Sequence, residues 1–268
     1  MPKVSIITVC LNDRRGLEKT LTSSFAQKCS GGVEMIVIDG GSIDGCAELL
    51  REHAERLAFW CSEPDKGIFN AMNKGVAHAS GEFCIFMNAG DTFASNDVLE
   101  KIFDGNAAIV ETADMVVGTA HCQRNGETVR VEVAPKRLTF AFFAGFRGYL
   151  NHQSTFTRRE WLLKYPYDES LKIVGDWKFC LQALIFDDAR YAAIDVPVGI
   201  FDLAGVDSRK PGREEAEREK VFRELKIARI LADYDFIMNE VGNASWRRRW
   251  LRKLFRRTYN KWANNLQK

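Results

Sequence analysis

A short polar segment with one carboxylate follows a buried-looking strand in the first third of the chain. Residues Phe83–Met87 form a five-residue apolar run between turn formers, which is typical of a strand covered on both faces. Asn88, Gly90 and Asp91 come directly after this run. The carboxyl ends of strands in open α/β sheets are where such proteins bind ligands. We therefore predict a ligand site around Asp91.

The segments before Asp91 predict the sheet that positions it. Apolar runs at Val4–Cys10, Val33–Ile38 and Ala58–Cys61 alternate with helical segments of about ten residues. This alternation predicts a parallel α/β sheet with right-handed crossovers, similar to a nucleotide-binding half-domain. Asp39 follows the second run, so we expect it at the same sheet edge as Asp91.

Composition indicates an ordinary soluble globular protein. The 268 residues are 46% hydrophobic and 28% charged, and no run approaches the roughly 20 apolar residues that span a bilayer. The first apolar run is too short for a signal peptide, so we expect none. Seven cysteines are scattered singly. We interpret them as reduced thiols of a cytosolic protein and do not expect metal binding through sulfur.

The later part of the chain divides into two predicted regions. Residues 1–210 are predicted to form the α/β domain, and residues 211–268 a helical extension. Within the domain, Phe140–Tyr149 is predicted to be an aromatic loop that acts as a lid or acceptor wall. Gly175 and Asp176 precede a helix predicted at Trp177–Phe186. The extension begins with one charged helix, predicted at Arg213–Met238.

The end of the chain is strongly basic. Nine Lys or Arg and no acidic residue lie in Ser245–Lys268, and because the whole chain carries +2, the rest carries −7. Trp246–Leu266 is predicted to be an amphipathic helix. It could pack on the domain or on a second subunit, which would make a homo-oligomer. We favour an anionic membrane surface over either, and over nucleic acid, because a basic face opposite tryptophans suits lipid headgroups.

Five ordered motifs resemble those of family-2 glycosyltransferases with the GT-A fold. They are VSIITVCLN, VEMIVIDGGSIDG, SEPDKGIFNAMNKGVAHASGEFCIFMNAGD, NHQSTFTRR and IVGDWKF, and they extend over about residues 2–208. The match is close to a bacterial branch that builds capsule, exopolysaccharide and colanic-acid-like polymers. The resemblance implies inverting transfer of a sugar from a nucleoside-diphosphate sugar, here a UDP-sugar, to an acceptor hydroxyl. It also implies a peripheral enzyme on the cytoplasmic face of the plasma membrane, acting on a lipid-linked or saccharide acceptor.

The resemblance implies a divalent cation, Mn²⁺ or Mg²⁺, at Asp91. A departing diphosphate develops negative charge, which a cation held by hard oxygen ligands offsets. Asp91 matches the last acidic residue of the family's DxD-type motif. Asn88 and Gly90 stand where many members carry further acids. One carboxylate remains, and Asn88 could supply an oxygen ligand or a water contact beside the nucleotide.

The remaining site residues are also assigned through the resemblance. Asp39 matches the position that accepts a hydrogen bond from uracil, a role that suits an acceptor-only carboxylate. The other predicted nucleotide contacts are Thr8, Val9, Asn12, Lys66 and Asn73.

Asp176 matches the family's general base, which removes the proton from the acceptor hydroxyl. His152 and Gln153 match a pair near the acceptor or the donor phosphate. Trp177 is predicted to stack on a sugar face. Two other classes stay open, a non-catalytic nucleotide-sugar-binding or scaffold protein, and a nucleotidyltransferase, which lacks the expected Gly-rich loop.

Overall fold

The structure, a computed structural model, describes residues 2–124, 126–144, 148–203 and 212–242. The chain divides into two compact units, Met1–Arg218 and Glu219–Lys268. The first unit extends past the predicted boundary at residue 210. The amphipathic helix predicted at Trp246–Leu266 lies outside the described residues.

A nine-stranded mixed sheet forms the centre of the first unit. Its strands are β1 Val4–Cys10, β2 Val33–Asp39, β3 Phe59–Ser62, β4 Phe83–Phe86, β5 Thr92–Phe93, β6 Met115–Arg124, β7 Glu127–Glu132, β8 Thr155–Arg158 and β9 Tyr191–Asp202. The order across the sheet is β3-β2-β1-β4-β8-β6-β9-β5, with β7 paired to β6. The first four strands are mutually parallel, as predicted. Antiparallel pairs join β8 to β4 and β6, so the parallel pattern applies mainly to the N-terminal half.

Helices connect and cover these strands. They are α1 Arg14–Phe25, α2 Cys46–Glu52, α3 Ile68–His78, α4 Ala107–Thr112, α5 Phe140–Ala144, α6 Arg159–Lys164, α7 Gly175–Leu181, α8 Arg213–Glu224 and α9 Ala228–Gly242. A π-helical turn at Gln182–Phe186 continues α7, and a 3₁₀ turn at His152–Ser154 precedes β8. None of the helices in the described part of the chain has the length and apolar character needed to cross a membrane.

The buried strands explain why the N-terminal sheet carries helices on both faces. Every residue of β1 and of β4 is buried, so neither strand has a solvent-facing side. Leu17 and Leu21 of α1 pack with Met35 of β2 on one face. On the other face α3 approaches closely, because a Cβ at Gly75 would lie 2.4 Å from a methyl carbon of Ile7. The N-terminal part of the sheet therefore lies between two layers of helices.

Two predicted elements differ from the structure. The loop predicted at Phe140–Tyr149 begins with the short helix α5. The single helix predicted at Arg213–Met238 is wrong, because the chain breaks it into α8 and α9. Lys226 adopts a positive φ of 56°, a left-handed conformation that ends a helix. The side chain of the next residue, Ile227, is buried.

Candidate active site

Two predicted site segments lie at one edge of the sheet. Cys10 of β1 is opposite Asp39 of β2, and Ile7 of β1 is opposite Phe86 of β4. The Asn88–Asp91 turn leaves β4 two residues later. The common edge that the strand pattern predicted is therefore present, and it carries both carboxylates.

Asp91 is a buried carboxylate with fixed donors. Its side chain accepts hydrogen bonds at Oδ2 from the Asn88 backbone N–H and from Gln153 Nε2, both at 3.2 Å. Thr20 fixes the turn, because its hydroxyl donates to the backbone carbonyl of Asp91 at 2.7 Å. Burial raises the pKa of Asp91 to about 6, and the hydrogen bond from Gln153 opposes this rise. A cation beside Asp91 would favour the ionised form further.

A hydrogen-bonded chain runs from the Asp91 turn to Asp176. Asn88 Nδ2 lies 3.1 Å from His152 Nε2, and His152 Nδ1 lies 3.0 Å from Asp176 Oδ2. Because a carboxylate only accepts, Nδ1 carries the proton of this contact. Nε2 then accepts the amide N–H of Asn88. The chain brings together residues that sequence analysis had assigned to the donor side and to the acceptor side.

Asp176 is held by two further donors. Its carboxylate is buried. The hydroxyl of Tyr149 donates to Oδ2, and the backbone N–H of Trp177 donates to Oδ1 at 2.8 Å. Tyr149 was predicted only as the end of an aromatic loop. The sequence gives no signal for its contact with Asp176, because 27 residues separate the two. The structure therefore adds Tyr149 to the candidate site.

Contacts on both sides fix the start of α7, which carries Asp176. A Cβ at Gly175 would lie 2.7 Å from the ring of Phe69, so only glycine allows this approach. The Glu217 carboxylate accepts backbone N–H groups of three successive residues, Lys172 at 3.1 Å, Ile173 at 2.8 Å and Val174 at 3.2 Å. Glu217 belongs to α8, which sequence analysis had placed outside the α/β domain.

Trp177 does not face a sugar site in this arrangement. Its side chain is 1% exposed, and the guanidinium carbon of Arg218 lies 4.6 Å from the ring centroid. Stacking on a sugar requires an open ring face. The structure therefore places Trp177 in the core, where it supports the helix behind Asp176.

Asp39 lies in a ring of small donors. Its side chain is fully buried, and it accepts hydrogen bonds from the hydroxyls of Ser42 and Ser62, from the Ser42 N–H at 3.1 Å and from Cys10 Sγ at 3.4 Å. A nucleobase N–H would reach Asp39 only if one hydroxyl rotated away. Ser62 is exposed and is the easier of the two to displace. The predicted role of Asp39 thus involves two serines that sequence analysis missed.

Three other predicted nucleotide contacts lie in β1 or in the loop that follows it. Asn12 is exposed with a φ of 53°; its N–H donates to Ser42 Oγ at 2.7 Å, and its Oδ1 accepts the Ile43 N–H at 3.0 Å. Thr8 and Val9 are buried in β1. Among the described residues the Thr8 hydroxyl has no hydrogen-bond partner. Asn12 therefore joins the loops after β1 and β2.

Lys66 and Asn73 make contacts elsewhere. Asn73 makes two hydrogen bonds of 2.9 Å with the backbone of Tyr167 and one of 3.1 Å with the Glu169 carboxylate. These contacts occupy its amide in holding a loop. Lys66 is exposed, and its backbone N–H donates to Asn70 Oδ1 at 3.2 Å. No hydrogen bond in the described part of the structure links either residue to the hydrogen-bonded chain Asn88–His152–Asp176.

The Asp91 turn offers the donor set that Mn²⁺ or Mg²⁺ prefers. Oδ1 of Asn88 is buried and has no hydrogen-bond partner among the described residues. It belongs to the same turn as the Asp91 carboxylate. One or two protein oxygens together with phosphate oxygens are a common way to hold these ions. The residues present therefore fit a divalent cation that is bound together with a diphosphate.

A second group of metal-ligand types fits these cations less well. Within the described residues, the ligand atoms of Cys10, Asp39 and Cys46 lie within 4.8 Å of one another. Burial raises the pKa of both thiols, so at neutral pH they are protonated. Sulfur ligands favour softer ions than Mn²⁺ or Mg²⁺. We therefore interpret the group as part of the hydrogen-bonded surroundings of Asp39.

Solved structures place the fold among GT-A glycosyltransferases. The chain superposes on S. aureus TarS 1-349 in complex with UDP with a TM-score of 0.65, at 18% identity, over 92% of this chain and 77% of that one. It also superposes on a mannosyltransferase from Pyrobaculum calidifontis in complex with GDP-Man and Mn²⁺, with a TM-score of 0.56, at 16% identity, over 98% and 83%. The fold is therefore that of a GT-A enzyme.

Sequence comparison gives the family. Residues 5–165 match the family described as Glycosyl transferase family 2. An uncharacterized glycosyltransferase of Mycobacterium tuberculosis is 32% identical over 84% of this chain and 82% of its own. A PGL/p-HBAD biosynthesis glycosyltransferase of Mycobacterium bovis is 30% identical over 66% and 68%. The protein belongs to glycosyl transferase family 2.

The cation site can be tested through Asp91. Asp91→Asn removes the carboxylate and leaves only amide oxygens at residues 88 and 91 as protein ligands. Because amide oxygens hold a divalent cation poorly without a carboxylate, the variant should abolish the contribution of Mn²⁺ to nucleotide binding. In calorimetry with UDP, we expect wild type to bind at least about tenfold more tightly with Mn²⁺ than with EDTA. Asp91→Asn should bind equally in both conditions.

Asp97→Asn is the matched control for this experiment. Asp97 comes after β5, is exposed and is paired with Lys101. It should keep the full effect of Mn²⁺. An Asp91→Asn protein that also keeps the full effect would contradict the assignment.

Proposed function

We propose that the protein is an inverting glycosyltransferase that moves a sugar from a nucleoside-diphosphate sugar, a UDP-sugar, to a hydroxyl of a lipid-linked or saccharide acceptor. Asp39 and the loops after β1 and β2 bind the nucleoside. The turn from Asn88 to Asp91 binds the diphosphate. Asp176 is the general base. The reaction is a step of polysaccharide or glycolipid biosynthesis.

The observation that carries this proposal is the hydrogen-bonded chain from Asn88 through His152 to Asp176. A single-displacement transfer needs the diphosphate and the base on opposite sides of one reacting carbon. The chain fixes the spacing between the two groups assigned to these tasks. The solved neighbours with UDP, UDP-GlcNAc and GDP-Man support a nucleotide-sugar donor.

Asp176 would act on the acceptor hydroxyl. The hydroxyl oxygen forms a bond to the anomeric carbon while its proton passes to the Asp176 carboxylate. The bond between that carbon and the phosphate oxygen breaks, and its electron pair leaves with the diphosphate. Attack opposite the leaving group inverts the anomeric configuration. His152 and Tyr149 donate to Oδ2 and orient the carboxylate for this step.

The cation would be held by Asp91 and by the free Oδ1 of Asn88. When bound, a divalent cation offsets the negative charge that develops on the departing diphosphate. Gln153 would orient the Asp91 carboxylate, because its amide donates a hydrogen bond to Asp91 Oδ2 at 3.2 Å. Asn88 and Asp91 would thus position the diphosphate while Asp176 accepts the proton of the acceptor hydroxyl.

Asp176→Asn tests the proposal. The variant keeps the size of the side chain but cannot accept the proton, so we expect UDP release from a matching donor sugar to fall at least about 100-fold. The affinity for UDP should change less than about threefold, because Asp176 lies on the acceptor side. Turnover is measured with a panel of UDP-sugars and GDP-mannose, and affinity by calorimetry.

Asp187→Asn serves as the control, since this half-buried carboxylate pairs with Lys164 and Tyr165 and has no contact with Asp176 among the described residues. It should keep wild-type turnover. Equal turnover in Asp176→Asn and wild type would show that Asp176 is not the base. A wild type that binds nucleotide sugars without turning over any donor would favour the non-catalytic binding protein.

We also propose that the protein works at the inner face of the plasma membrane. The support is sequence alone, namely the nine basic residues and three tryptophans of Ser245–Lys268, which lie outside the described residues. In flotation with vesicles containing anionic phospholipid, we expect the full chain to float and a chain ending at Gly242 to stay at the bottom. Equal flotation of both, or flotation on neutral vesicles alone, would contradict the proposal.

A further inference from the structure

A cavity of about 620 Å³ lies next to Asp176 in the first unit. Its walls come from the β6–β7 hairpin, from the segment around Tyr149 and from the beginning of α8. Its volume is within the range of about 300–1,000 Å³ that small-molecule sites occupy. Tyr149 connects the cavity to the site, because its ring lines the cavity and its hydroxyl donates to Asp176.

Arg218 is an incompletely satisfied charge in the cavity wall. Its side chain is 2% exposed, and Nε and Nη2 donate to Glu214 Oε1 at 3.2 and 2.9 Å. Nη1 has no hydrogen-bond partner among the described residues. A buried N–H without a partner is unfavourable. An acceptor atom of a bound ligand would remove this deficit.

The charges of the wall select the class of ligand. Arg218 pairs with Glu214, and Arg130 pairs with Glu132, so the cavity carries two guanidinium–carboxylate pairs and no net charge. An anion bound to one of the guanidinium groups would be repelled by the neighbouring carboxylate. A cation bound to the carboxylate would be repelled by the guanidinium. A hydroxyl can accept from the first group and donate to the second.

The apolar part of the wall suits the carbon faces of a sugar ring. Phe142 and Tyr149 present aromatic rings, and Val133 and Leu150 present aliphatic groups. Sugar C–H faces pack on aromatic and aliphatic surface while their hydroxyls require polar partners. Both kinds of surface are present in one cavity.

We infer that this cavity binds an uncharged sugar unit of the acceptor, with Arg218 donating to one of its hydroxyls. The inference rests on the proposed transfer reaction. It places the acceptor beside Tyr149, whose ring lines the cavity and whose hydroxyl donates to Asp176.

The test measures binding of p-nitrophenyl glycosides by saturation-transfer NMR. The panel contains the uncharged glucoside, galactoside, rhamnoside and N-acetylglucosaminide, together with the anionic glucuronide. Wild type should bind at least one uncharged glycoside, at least about tenfold more tightly than the glucuronide. Arg218→Lys keeps the charge but loses the Nη1 donors, and it should bind that glycoside at least about tenfold more weakly.

A surface variant keeps the test valid if Arg218→Lys does not fold. Val133 lines the cavity with 68% exposure, so Val133→Trp should fill its mouth, weaken glycoside binding about tenfold or more and leave the core intact. Val131, which is 50% exposed and outside the lining, provides the control Val131→Trp with wild-type binding. UDP affinity should be unchanged in every variant.

Three results would overturn the inference. They are a wild type that binds UDP but no uncharged glycoside, a glucuronide that binds as tightly as the uncharged compounds, or full glycoside binding in Val133→Trp. A wild type that binds neither UDP nor GDP would instead overturn the proposed function. The two failures are therefore distinguishable.

Discussion

Buried carboxylates are stable in a fold only when hydrogen-bond donors surround them, and this requirement organises the site. Asp91 and Asp176 are both buried, and they belong to segments far apart in the chain. His152 and Gln153 lie between them and supply a donor to each. The 3₁₀ turn at His152–Ser154 thus fixes both carboxylates at once. A change in that turn would disturb Asp91 and Asp176 together.

The beginning of α8 supports the segment that carries Asp176. Glu217 holds three successive N–H groups before Asp176, and Arg218 covers the ring of Trp177. The position of Asp176 therefore depends on residues that follow the family motifs. In our proposals one helix both positions the base and, through Glu214 and Arg218, forms the wall of the acceptor cavity. Acceptor binding and base position would then be coupled through this helix.

The sequence predicted the parts of the site that depend on local pattern. Continuous apolar runs predicted β1, β2 and β4, and their common edge follows from the parallel topology. The resemblance indicated Asp176 and His152, which the structure brings into contact. Tyr149, Ser62 and Glu217 could not be predicted, because their roles depend on partners distant in sequence. Trp177 was expected beside a sugar, but packing by Arg218 places it in the core, a contact that no local pattern encodes.

The arrangement rests on His152, which joins the Asn88–Asp91 turn to Asp176 because Nδ1 carries the proton donated to Asp176 and Nε2 accepts the amide N–H of Asn88. Two-bond ¹H–¹⁵N correlation spectra of the histidine rings measure this directly, with His152→Gln assigning the signal. We expect Nδ1 to be the protonated nitrogen, and Asn88→Ala to alter the chemical shift of Nε2 more than that of Nδ1. A proton on Nε2, or a shift of Nε2 that does not respond to Asn88→Ala, would contradict it.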